Sequence, residues 1–154
     1  MLELLKERKA ALEAQGKKGF TLMEMLIVIA IIAVLIAIAI PIFTSQLENS
    51  RDATSVANMR SAYAEAQAAY LAGNAKDDGT VEGNPNIKIN KDSGRIASIE
   101  VSNVAIETQQ ANTWSNLATD LPFTAPTDPG TPSKATMVFT YATNGSITVA
   151  FKTA

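Results

Sequence analysis

The chain has neither cysteine nor histidine among its 154 residues. Without cysteine there can be no disulfide and no thiolate metal site. Without histidine the commonest general base and the commonest metal ligand are both missing. No dense run of carboxylates takes their place, so no catalytic residue, metal ligand or cofactor is expected, and the composition argues against an enzyme. Charge is scarce as well, at a net −2, and it is unevenly placed. Residues 1–19 carry Lys6, Arg8, Lys9, Lys17 and Lys18 against Glu3, Glu7 and Glu13, which gives +2 there and −4 beyond. An acidic remainder offers no electrostatic footprint for nucleic acid. The length allows one small domain with appendages.

What the chain does have is a long apolar run. From Met25 to Ile40 every residue is Met, Leu, Ile, Val or Ala. As a helix that stretch spans about 24 Å, short of a ~30 Å hydrocarbon core; with Phe20–Met23, Pro41, Ile42 and Phe43 it is long enough. A basic flank ahead of it stays cytoplasmic under the positive-inside rule, which places the rest of the chain outside. One carboxylate, Glu24, sits at the mouth of the run, where an ionised group costs roughly 2.5–3.5 kcal/mol in hydrocarbon. Thr21 and Glu24 have the spacing of a capping box, which closes a helix start with two reciprocal hydrogen bonds. Pro41 interrupts the run near its end and removes the amide bond to the carbonyl of Ala37.

Three readings compete for this segment. Ala37-Ile38-Ala39 after an apolar core has the look of a secretory cleavage site. A plain transmembrane anchor is the second. The third rests on Gly19-Phe20-Thr21-Leu22-Met23-Glu24, which with the aliphatic stretch behind it resembles the processing and assembly signature of type IV pilins and pseudopilins. Only the third accounts for Gly19, Phe20 and Glu24 together. The resemblance covers about the first third of the chain.

It implies cleavage after Gly19 by a prepilin peptidase and N-methylation of the new Phe20 amine. It also implies that Glu24 pairs with the Phe20 amine of a neighbouring subunit, and that Pro41 bends the helix. Two charges in a low-dielectric bundle pair, or each costs several kcal/mol. The implied partners are further copies of the chain in a helical filament, an assembly ATPase with its platform protein, and the membrane before assembly. The implied location is the cytoplasmic membrane as a single-pass precursor, then an extracellular pilus supporting adhesion, twitching motility or DNA uptake. A pseudopilin of a type II secretion or competence system is the alternative, and a membrane-anchored surface binding module is an alternative of a different class. Many pilins close a C-terminal loop with a disulfide; this chain cannot.

Beyond Pro41 the pattern becomes amphipathic. Val56, Met59, Tyr63, Ala66 and Tyr70 form one helical stripe, with Asp52, Ser55, Arg60 and Gln67 expected on other faces. Gly73-Asn74 is a helix stop, so the helix is expected from about Phe20 to Ala72. Residues 73–95 read as a connection with one alternating piece, Ile87-Lys88-Ile89, and Asp77-Asp78 as a solvated turn. Residues 96–107 are β-rich, with Ile99 and Val101, then Val104 and Ile106, each alternating. Trp114, Leu117, Leu121 and Phe123 are candidate core or cover residues. Asp120 and Asp128 are the thin case for a calcium loop.

The chain closes with a hairpin around Asn144-Gly145. A three-residue loop with a bulge pairs Tyr141 with Ile147, Phe139 with Val149 and Met137 with Phe151, which puts the large apolar side chains on one face. Asn144-Gly145-Ser146 also matches a glycosylation sequon, and the hairpin turn is the reading taken. The expected fold class is α+β, the pilin fold: a long N-terminal helix, hydrophobic then amphipathic, packed on about four antiparallel strands. The expected divisions are a cleaved leader at 1–19, a transmembrane and filament-core helix at 20–43, an amphipathic half at 44–72 and a globular head at 73–154.

Overall fold

The computed structural model describes residues 1–14, 19 and 21–152. Two helices come first, α1 (Leu2–Ala14) and α2 (Leu22–Ala72). Five strands follow: β1 (Thr80–Val81), β2 (Asn84–Asp92), β3 (Arg95–Ile106), β4 (Ser133–Tyr141) and β5 (Ile147–Phe151). The chain divides into two compact units, Met1–Phe43 and Thr44–Ala154. Helix α2 ends at Ala72, where Gly73 takes a left-handed φ of 63° and its amide still bonds Ala69 O. A glycine in that position is an ordinary helix stop. Helix α1 is a feature the sequence reading did not expect.

In the second unit the strands form an antiparallel meander in the order β1-β2-β3-β4-β5. That is one strand more than expected. The segment read as a connection with a short alternating piece is in fact strand β2, with the two-residue β1 on its outer edge. β2 turns into β3 through Ser93 and Gly94, both at positive φ, the hairpin turn that matches strand twist. β3 is one strand of 12 residues with a bulge between Val101 and Val104, where Asn103 has φ 67°. The bulge adds one residue, and so the inward phase of Ile99 and Val101 resumes at Val104 and Ile106.

Alanine at positions 62, 66 and 69 is buried with Val56 and Met59 on one face of α2. Against them lie Ile87 and Ile89, Ile99 through Ile106 on alternate sites, and Met137 and Phe139. Tyr63, Phe123 and Phe139 form a triangle with ring centroids 5.3 to 5.9 Å apart. Tyr70 is more exposed, but its ring stacks on Tyr141 at 4.4 Å. Trp114 and Phe123 join the core from the β3–β4 connection, whereas Leu117 remains exposed. Asp52 and Ser55, expected on faces other than the apolar stripe, are fully buried. The loop after β3 lies over that side of α2 and supplies their hydrogen-bond partners, a coverage no helical stripe reveals.

The terminal hairpin has the expected register, with Tyr141 opposite Ile147, Phe139 opposite Val149 and Met137 opposite Phe151. Its turn is used twice in this unit. In Ala142–Ser146, Gly145 N donates to Ala142 O and Ala142 N to Ser146 O. In Lys76–Thr80, Gly79 N donates to Lys76 O and Lys76 N to Thr80 O. Gly145 and Gly79 have φ of 84° and 85°, a conformation only glycine adopts cheaply. One oxygen of Asn144 accepts from both Ser146 N and Oγ, and one of Asp78 accepts from both Thr80 N and Oγ1. The sequon residues are therefore the working parts of a bulged turn.

Candidate processing and assembly site

In the first unit the site begins at Thr21, the residue before the first turn of α2. Glu24 N donates to Thr21 Oγ1 at 3.2 Å, and Thr21 N donates back to Glu24 Oε2 at 2.7 Å. The Thr21 hydroxyl adds a bond to the same carboxylate oxygen at 2.9 Å. This is the expected capping box, and it turns the Glu24 carboxylate toward the start of the helix rather than along the apolar run. Phe20 lies outside the described residues. Gly19 is exposed, nothing lies within 4 Å of where its Cβ would stand, and its φ is not left-handed. Among the described residues, then, neither packing nor backbone conformation requires glycine there.

After Glu24 the aliphatic side chains of α2 stand in the open. Leu26, Ile29, Ile31, Leu35 and Ile38 are each about half exposed or more. The most apolar 18-residue window of α2 has a mean hydropathy of 3.4, and none of it is buried within the chain. α2 is the one described helix long and apolar enough to cross a membrane. A soluble core helix buries such a surface against its own fold; this one leaves it to lipid or to other helices. Pro41 lies inside α2, with helical residues on both sides.

Residues 15–40 match the family model described as prokaryotic N-terminal methylation motif. The chain has the N-terminus of a type IV pilin-like prepilin. The match takes in Gly19, Phe20, Glu24 and nearly the whole apolar run, ending one residue before Pro41. No solved structure matches the chain. The motif lies in the first unit, and the match does not extend to the head.

That head holds a second polar centre that the sequence reading missed. Glu48 of α2 is 4 % exposed, and its Oε1 accepts from Gln109 N, Gln110 N and Thr108 Oγ1 at 2.8 to 3.0 Å. Burial works against the charge, but these donors, with Arg51 at 3.4 Å, outweigh it and hold the Glu48 carboxyl below the usual range. Asp52 accepts from Asn112 Nδ2 and Ser115 Oγ, while its Oδ1 is buried without a hydrogen-bond partner. Asp128 accepts from Asn112 N and Gly130 N, and Thr108 Oγ1 lies 3.3 Å from it.

Asp128 thus ties the two ends of the β3–β4 connection together, and Trp114 Nε1 adds a bond to Pro126 O. A Cβ on Gly130 would stand 2.7 Å from Ala111 N, so the two ends pass too closely for any larger residue. Asp120 is exposed and takes no part. Among the described residues no group of three or more His, Cys, Asp or Glu side chains is placed to hold a metal ion. The cluster closes a loop; its carboxylates are used on backbone amides and neighbouring side chains. Spacing could not reveal it, because Glu48 and Asp52 lie some 60 residues from their partners.

Proposed function

We propose that the chain is the structural subunit of a type IV pilus, made as a membrane-anchored precursor and polymerised through α2. The observation that carries this is the methylation motif at residues 15–40 on a helix whose aliphatic side chains are exposed. Prepilin peptidase cuts between Gly19 and Phe20 and methylates the Phe20 amine. Glu24 is one turn from that amine and held at the helix start by Thr21, so the carboxylate is already aimed at the end where the new cation appears. In the filament it pairs with the amine of a neighbouring subunit and sets the register.

Subunits enter the fibre by exchanging lipid for one another. Burying an aliphatic side chain is worth about 1.5–3 kcal/mol, so the run from Met25 to Ile40 supplies the cohesion of the filament core. Pro41 bends the helix where the run ends, with residue Ala37 losing its usual amide donor. The heads face outward, and adhesion, twitching motility or DNA uptake are properties of the assembled fibre. An assembly ATPase and platform protein drive extraction from the cytoplasmic membrane.

The test is the mature N-terminus, read by mass spectrometry on sheared fibres and membranes. A methylated Phe20 is the expected result. A chain starting at Ile40 or still carrying Met1 overturns the reading. Surface imaging adds the second half: long fibres are expected, and short or absent ones point to a pseudopilus.

A further inference from the structure

We propose that α1 is an interfacial helix that lies on the anionic lipid surface at the cytoplasmic end of α2. Its side chains sort by face. At 3.6 residues per turn, Met1, Leu5 and Leu12 share one side with Arg8 and Lys9, while Glu3 and Glu7 fall opposite with Ala10. Lys6 and Glu13 lie on the borders. The apolar side thus carries cations and no carboxylate, the arrangement in which long basic side chains reach up to phosphate while leucines enter the acyl boundary.

The structure adds what the sequence does not say. α1 is helical over 13 residues, and Leu2, Leu4, Leu5 and Leu12 are all more than half exposed. A helix this short is marginal in water when nothing packs on it. Its apolar side needs a surface, and among the described residues none covers it. The nearest surface is fixed by connectivity: the seven residues between Ala14 and Leu22 reach at most about 25 Å. α1 therefore stays beside the point where α2 enters the bilayer, at high effective concentration. Lys17 and Lys18 in that tether join Lys6, Arg8 and Lys9, and a cluster of four to eight basic residues cytoplasmic of a span reads as a binder of anionic lipid.

The choice of leaflet rests on the prepilin reading, and so does the consequence: α1 and α2 are two lipid-bound helices on either side of the Gly19–Phe20 bond in sequence. The lipid is a structural partner of the substrate, and cleavage releases the helix that bound it.

The experiment uses the full chain with one fluorophore, at Leu12→Cys or at Glu7→Cys; the absence of cysteine makes either label unique. The chain is inserted in vesicles of phosphatidylcholine alone or mixed with phosphatidylglycerol. Lipids carrying a nitroxide at the headgroup quench a label that lies on the bilayer, whichever way the chain inserts. Stronger quenching at position 12 than at position 7 in the anionic vesicles is expected. The difference shrinks in phosphatidylcholine alone and in the Arg8→Glu, Lys9→Glu variant, each lost charge weakening partitioning about fivefold. Equal quenching at both positions in anionic vesicles overturns the proposal. The mature N-terminus reports separately: methylated Phe20 with equal quenching removes the interfacial helix and leaves the prepilin. A label quenched at position 12 on a chain that is never cut keeps the helix and removes the processing.

Discussion

The two units use apolar and ionisable residues in opposite ways. Between Met25 and Ile40 the chain shows aliphatic side chains to its surroundings, and the carboxylate at the entrance, Glu24, is exposed. From Thr44 onward the same helix puts alanines against the sheet and buries two carboxylates, Glu48 and Asp52. The first unit is incomplete by itself, since its largest apolar surface has no partner among the described residues. The second is complete, with its aromatic and aliphatic side chains gathered in one core. Where a side chain is exposed therefore says which surroundings the segment suits: apolar ones in one case, water in the other.

Substitutions that strike one unit and spare the other are the direct way to break this contrast. Phe139→Ala removes the ring shared by Tyr63 and Phe123 at the centre of the head. It should cost about 3–5 kcal/mol of head stability. Thermal melting in detergent followed by near-ultraviolet dichroism should show the loss while the Leu22–Phe43 share of the far-ultraviolet helix signal persists; loss of the whole helix signal in the same transition would mean that the units are not separable. Ile31→Asp is the mirror case. A charge in mid-run costs about 2.5–3.5 kcal/mol in the bilayer, so the equilibrium constant for membrane insertion should fall by about a hundredfold with the melting point of the head unchanged.

A smaller effect tests the buried acids. Glu48→Gln keeps an acceptor oxygen for the Gln109 and Gln110 N–H groups but puts its amide nitrogen where Oε2 met the Arg51 guanidinium, and a loss of about 1–3 kcal/mol is expected in a denaturant melt. The pH dependence carries its sign from the same geometry. Hydrogen bonds lower the folded-state value for Glu48, and Lys152 at 2.8 Å is the main cause of a lowered value for Glu100. A group with a depressed folded value adds stability above its unfolded value of about 4.3 and loses it as pH falls through the folded one. The head should melt at a nearly constant temperature down to about pH 5 and progressively lower beneath it. Glu48→Gln should flatten that fall; an unchanged profile would show that Glu48 is not among the groups responsible.

Legibility in the sequence follows the same division. The capping box, the apolar run and the helix stop at Gly73 depend on neighbours in sequence, and each was readable. So was the register of the last hairpin, because the turn and the apolar alternation admit only one pairing that keeps the large residues together. Strand β2 was obscured by its asparagines and lysines, which face away from Ile87 and Ile89 on a half-exposed strand. The burial of Asp52 and Ser55 was not legible, since it depends on a loop arriving from more than 50 residues away. Helix α1 was hidden by charge: Arg8 and Lys9 interrupt its apolar stripe and mask the periodicity.

The doubled turn bears on how the head ages. Asn-Gly is the dipeptide in which a side-chain amide is most readily lost, and Asn144-Gly145 stands exposed at a hairpin tip. At the corresponding place in Lys76–Thr80 the residue is already an acid, Asp78, and its carboxylate accepts the same two bonds. Hydrolysis of Asn144 to aspartate should therefore leave β5 in register, and Asn144→Asp should shift stability by no more than about 0.5 kcal/mol. Rearrangement to iso-aspartate inserts an extra backbone carbon and has no counterpart in the other turn. The ratio of these two products at position 144 would record the age of each copy of the chain.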